Sequence, residues 1–210
     1  LVVDSVDGVQ IETEKAWRYL KENDIPRIIF VNKMDKERAN YNDVIDNLKN
    51  SLKVNVATLC MPYGEGDKFS GVVDTIDMKL ITPKGKDVTK SDIPDEMAGV
   101  AEDERNNLIE LAAESDDDLI EKFLEGEELT EDEIKNGIKA QLADAKLTTV
   151  ICGSSDKVIG IKNLLNVIKN YAPAPIPGKE ITTINPDTNE EETLKTDGSG
   201  QFAGVVCKTY

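Results

Sequence analysis

Apolar residues alternate between two periods along the first fifty positions. Leu1–Val3 is a short β-favouring run, and Asp7-Gly8 makes a turn after it. Val9, Thr13, Ala16, Trp17 and Leu20 then fall at helical spacing. Asn23-Asp24 ends that helix and Pro26 opens a new element. Ile28-Ile29-Phe30-Val31 is a continuous β-favouring run, the pattern of a strand covered on both faces. Val44, Ile45, Leu48 and Leu52 mark one face of a second helix. Strand–helix–strand–helix predicts a parallel sheet with right-handed crossovers. The alternation returns at Leu147–Ile151, another buried-strand run. Ile161, Leu164, Leu165 and Ile168 follow it on one helical face. Trp17 is expected to pack on the α/β core.

The intervening stretch, 54–146, has a different pattern. Val54 to Leu80 is strand-like, punctuated by Gly and Pro, and the rest is helical. Thr130 with Glu133 fits a capping box ahead of Ile134, Ile138 and Leu142. Ser115 with Asp118 is a weaker version ahead of Leu119, Ile120 and Phe123. After the second α/β piece, Pro173 to Gly178 cannot continue a helix and reads as a stiff linker. Short β-type runs follow at Ile181–Ile184, Thr193–Lys195 and Gln201–Tyr210, with a turn at Asn185-Pro186-Asp187. The expected domains are an α/β domain from 1–53 and 147–175, an inserted α+β subdomain at 54–146, and the start of a β domain at 176–210.

Composition narrows the function classes. The 210 residues are 39% hydrophobic and 31% charged, enough for a folded core. The net charge of −16 makes a poor non-specific binder of nucleic acid, which needs basic surface to release counterions. Most of that charge sits in one place: 95–146 has 18 acidic against 5 basic residues, a net −13. With no histidine, the chain holds no Ser–His or Cys–His nucleophile pair and no histidine-bound zinc. Cys60, Cys152 and Cys207 are odd in number and far apart, which suits a reducing cytoplasm rather than a disulfide framework. They are expected to be buried small hydrophobes. No apolar run is long enough to span a membrane, so no membrane partner is expected. Asp116-Asp117-Asp118 lacks the spaced oxygen ligands and glycine of a calcium loop and reads as a helix start. The chain begins at Leu1 inside an apolar run and stops inside a strand-like one, so a fragment of a longer protein is expected.

One motif carries chemistry. Asn32-Lys33-Met34-Asp35 follows the strand Ile28–Val31, at the carboxyl end where open α/β sheets bind ligands. Asn-Lys-x-Asp there resembles the guanine-reading signature of GTP-binding domains. Guanine presents two adjacent donors, the ring N–H and the exocyclic amine, and one carboxylate, Asp35, can accept both. Adenine would leave that carboxylate desolvated and unpaired. Lys33 can lay its methylene stem along the base, and the Asn32 amide can tie this loop to its neighbour. Gly153-Ser154-Ser155 follows the strand Leu147–Ile151 and Cys152, and is the natural second loop.

In chain order, the motifs resemble elongation factor G, the bacterial translational GTPase that drives ribosomal translocation. Gly8-Val9-Gln10 with Glu14 and Trp17 is similar to that family's helix before the guanine motif. Phe30 to Asp35 is near identity. Gly64 to Asp74, Phe123 to Thr130, Gly153-Ser154-Ser155 through Gly160, and Tyr171 to Pro175 resemble successive family segments. The resemblance implies an α/β, parallel-sheet GTPase core of P-loop NTPase type lacking its N-terminal part, an inserted subdomain, and the first strands of a β-barrel domain. It implies GTP and GDP as ligands, with Mg in the full-length protein. Asn32, Lys33, Asp35, Gly153, Ser154 and Ser155 would bind the nucleotide, the second loop through backbone N–H groups. Partners would be the ribosome, including the stalk protein of its large subunit, for a cytoplasmic monomer. The Gly-x-x-x-x-Gly-Lys-Ser/Thr phosphate loop and the family's Asp-x-x-Gly-His segment are absent from the sequence. The chain thus has no catalytic residue or metal ligand of its own and is expected to be inactive alone. Lys36-Glu37-Arg38 replaces the family's more usual Arg-Met-Gly, the mark of a divergent paralogue. The alternatives are a ribosome-protection or recycling GTPase, and a non-enzymatic acidic interaction module.

Overall fold

A computed structural model describes residues 1–85, 87–174, 180–185, 187–195 and 204. They form two compact units, Leu1–Pro173 and Ala174–Tyr210. The first begins β1 (Val2–Asp4), α1 (Ile11–Glu22), β2 (Ile28–Asn32), α2 (Tyr41–Leu52) and β3 (Val56–Thr58). It continues with β4 (Cys60–Tyr63), β5 (Gly71–Asp74), β6 (Lys79–Lys84) and β7 (Asp87–Ser91). Three helices follow, α3 (Asp95–Ala113), α4 (Asp117–Leu124) and α5 (Glu131–Ala143), and β8 (Thr148–Cys152) and α6 (Ile161–Tyr171) close the unit.

The main sheet is parallel, in the order β1-β2-β8-β3. Ile29 lies opposite Val150 and Phe30 opposite Ile151, so the two apolar runs are neighbours in one α/β sheet. β2 and β3 flank a slot that β8 fills from much later in the chain. The insert range of 54–146 therefore starts too early. Val56–Thr58 is fully buried and pairs with β8, so it is the edge strand of the main sheet and not part of the insert. The antiparallel sheet β4-β5-β6-β7 and the helices α3–α5 make up the rest of the insert. Leu59 joins the two sheets: its N–H donates to Val150 O at 2.9 Å and its carbonyl accepts from Thr75 N at 3.2 Å.

The helices follow their apolar stripes except α4, which buries no residue and leaves Phe123 exposed, and α6. Val44, Ile45, Leu48 and Leu52 of α2 are buried, as are Ile134, Ile138 and Leu142 of α5. α5 packs closely on α3, since a Cβ at Gly137 would stand 2.4 Å from Ala112 O. Trp17 is buried, with the Arg27 guanidinium 4.4 Å from its ring centroid. α6 is rotated from its expected face: Asn163, Val167 and Tyr171 are buried, while Leu165 is 60% exposed. Thr130 and Glu133 form the expected capping box. α4 is capped by Asp116 rather than Ser115, its carboxylate accepting from Asp118 N at 2.9 Å. Cys60 and Cys152 are buried free thiols, and Cys207 lies outside the described residues. In the second unit β9 (Glu180–Ile184) and β10 (Glu191–Lys195) pair antiparallel. The run Gln201–Tyr210 lies almost wholly outside the described residues.

Candidate functional site

Three parallel strands, β1, β2 and β8, end side by side, and the loops leaving them hold the predicted residues. The ladder runs on past the strands: Gly153 N donates to Val31 O at 2.9 Å, and Met34 N donates to Gly153 O at 3.1 Å. Asn32 then clamps the two loops. Its Nδ2 donates to Ser155 Oγ at 3.0 Å, and its Oδ1 accepts from Ser155 N at 2.9 Å. Gly153 can be nothing larger, because a Cβ there would meet Ile159 O at 2.4 Å and the Phe30 ring at 2.9 Å.

Lys33 adopts φ +66°, the left-handed turn that reverses the chain after β2. The end of β1 holds it in two ways. Ser5 Oγ donates to its carbonyl at 2.8 Å, and its ammonium donates to Asp4 Oδ2 at 2.5 Å. That bond raises the Lys33 pKa. At Asp4, burial pushes upward but is outweighed by Lys33 and the Val6 N–H, so the carboxyl stays below its ordinary value. Half of the Lys33 side chain remains exposed.

Asp35 is 8% exposed, and its Oδ1 is buried without a hydrogen-bond partner. Lys36 Nζ stands 3.8 Å from Oδ2. The Ser154 hydroxyl beside the carboxylate is the main cause holding Asp35 below the usual carboxylate range, so it is ionised at neutral pH. Ser154 is fully buried. Its backbone is bridged to Ile159 in both directions, at 2.9 and 3.0 Å, and its Oγ accepts from Lys157 N at 3.1 Å. The fold thus brings Asn32, Lys33, Asp35, Gly153, Ser154 and Ser155 onto two adjoining loops. The N–H groups of Ser154 and Ser155 are both engaged inside the loops, which leaves the Asp35 carboxylate as the unpaired polar group.

Asp4 and Ser5 were not apparent as site residues, although Asp-Ser at the carboxyl end of a predicted strand was a positional signal for them. Among the described residues no cluster of three or more His, Cys, Asp or Glu side chains could hold a metal ion, and no helix is long and apolar enough to cross a membrane.

Residues 1–174 match the sequence profile of the family described as the elongation factor Tu GTP binding domain. Among solved structures, the fold is similar to a crystal structure of a protein from Thermus thermophilus. The TM-score is 0.75 and the identity 28%, over 82% of this chain and 26% of that one. The chain spans about a quarter of that relative's length.

Proposed function

The chain belongs to the elongation factor Tu GTP-binding domain family, and from that premise we propose that its two loops read the base of GTP or GDP in a translational GTPase of elongation factor G type. The observation that carries this reading is the Asp35 carboxylate, ionised, almost buried and with one oxygen lacking any partner. A buried unsatisfied carboxylate oxygen is destabilising on its own. The ring N–H and exocyclic amine of guanine are two adjacent donors in the bidentate geometry a carboxylate accepts best, and one of them would reach the unpartnered oxygen. Asn32 keeps the loops in register through Ser155, and Ser154 keeps Asp35 charged. Lys33, tied to Asp4, lays its methylenes along the base. Base discrimination rests on Asp35, because the second loop spends its N–H groups on Asn32 and Ile159.

The sequence holds no phosphate-loop motif, so this chain's own contribution is to the base and not to the phosphates. In the complete factor the reaction is GTP hydrolysis coupled to ribosomal translocation in the cytoplasm, with the ribosome and its large-subunit stalk protein as partners. Base contacts alone support binding no tighter than millimolar, about −4 kcal/mol. The 210-residue chain by itself is therefore expected not to hydrolyse GTP.

The test is nuclear magnetic resonance titration of the chain with GDP and with xanthosine diphosphate. GDP is expected to shift the Asp35 and Ser154 amides. Asp35→Asn should reverse the preference, because Asn offers a donor where xanthine has gained an acceptor. An unchanged preference for GDP in that variant rules out Asp35 as the base reader.

A further inference from the structure

A cavity of about 690 Å³ lies among β5–β7, α5 and α6 and shares no residue with the two loops. Its floor is apolar: Leu59, Ile81, Val167 and the Tyr171 ring are all buried. Its rim is built by two helical stripes. α6 presents Lys162, Asn166 and Asn170, spaced i, i+4, i+8, and α5 presents Lys135, Asn136 and Lys139. Lys90 adds a fourth ammonium from β7.

In a chain of net charge −16, a lining with four lysines against three aspartates is locally richer in cations than the rest of the surface. The carboxylates in the cleft do not cancel them. Asp77 is committed to Lys90 at 2.7 Å. Asp74 is turned to the backbone, its Oδ1 accepting from the N–H groups of Ile76 and Asp77. Lys162 is paired with Asp87 and Lys135 with Glu131, both exposed contacts that a better anion can displace. Asp132 is at the helix start, where the dipole already compensates it. The cleft is a small apolar floor under a predominantly polar rim, and its volume admits a small polar molecule with an apolar part.

We propose that this cleft binds a small organic phosphate, its apolar or aromatic body resting on Val167 and Tyr171 and its phosphate held by Lys135, Lys139 and Lys162. Lysine serves as a point-charge phosphate ligand, and three ammonium groups from two helices match a dianion better than a carboxylate. The asparagine amides take the remaining polar atoms of the ligand's body.

The experiment titrates the 210-residue chain with phenyl phosphate, benzoate and inorganic phosphate, reading the side-chain amide resonances of Asn136, Asn166 and Asn170. Phenyl phosphate is expected to shift all three and to bind at least about fivefold more tightly than either other probe, since only it uses both floor and rim. Lys139→Glu, an exposed substitution that leaves the core intact, should weaken it by about fivefold or more, and Lys15→Glu on α1 should not. Equal affinities for the three probes, shifts confined to the Asn32–Asp35 and Gly153–Ser155 loops, or full binding by Lys139→Glu would each overturn the proposal. Guanine reading at Asp35 is tested separately, by the preference of Asp35→Asn between GDP and xanthosine diphosphate.

Discussion

At the scale of single residues, the loop between β8 and α6 holds two left-handed positions with opposite consequences. Gly160 has φ +79°, and a Cβ there would stand 2.4 Å from Cys152 O, so glycine is required. Val158 has φ +56° although it is β-branched, a conformation such residues avoid, and its side chain is 67% exposed. The strain is released by a residue that tolerates the left-handed region, and little packing is lost. Val158→Asn is expected to raise the urea unfolding free energy by roughly 1 kcal/mol, while Gly160→Ala lowers it. A lower midpoint for Val158→Asn would show that the valine is held there by packing. Asn32, Lys33 and Asp35 were legible because residue types at fixed spacing after a strand carry the chemistry themselves. Asp4 was not, because its bond to Lys33 exists only through the register that sets Asp4 opposite Asn32 across β1 and β2.

At the scale of elements, legibility followed the strength of the pattern. The stripe of α2 and the capping box of α5 could be read from a handful of residues each. The face of α6 could not, because apolar residues lie on more than one side of it and the buried set includes Asn163. β3 was read as strand-like but assigned to the insert, because so short a run does not show which sheet it joins. The capping box has a pH signature. The Glu133 carboxylate accepts from Thr130 N at 2.7 Å, then from Lys122 Nζ at 2.9 Å and Thr130 Oγ at 2.8 Å, which lowers its pKa from 4.5 to about 2. A carboxyl depressed on folding stabilises the folded state above its unfolded pKa and ceases to do so as pH falls through its folded value. The N-terminus of α5 should therefore loosen between about pH 4.5 and 2, seen as faster amide exchange at Glu133 and Ile134. Glu133→Gln should already show the looser exchange at neutral pH and change little across that window. Flat exchange in the parent chain over the same range would mean that Glu133 does not hold this helix end.

At the scale of the whole molecule, the separation of charge decides what the insert can meet. The net −13 on 95–146 is carried by α3–α5 and their connections. We propose that in the complete factor this surface docks the stalk protein of the large ribosomal subunit. Solubility alone would not concentrate the charge, whereas a steering field does, because a localised potential accelerates encounter with a basic patch at low ionic strength. α4 adds an apolar component, with Leu124 77% exposed beside Glu121 and Glu125, both exposed. Glu133 is the wrong residue to reverse, since its loss would undo the α5 cap. Glu121→Lys with Glu125→Lys changes the field and spares the cap. The double variant should bind the stalk's C-terminal domain more weakly and with a shallower salt dependence. Leu124→Ala should weaken binding while leaving the salt dependence unchanged, because it removes area and no charge. Titration of the labelled chain with that domain at low salt distinguishes the cases. Shifts centred on α4 that fade as salt rises support docking. A spectrum without shifts in 95–146 leaves solvation as the work these carboxylates do.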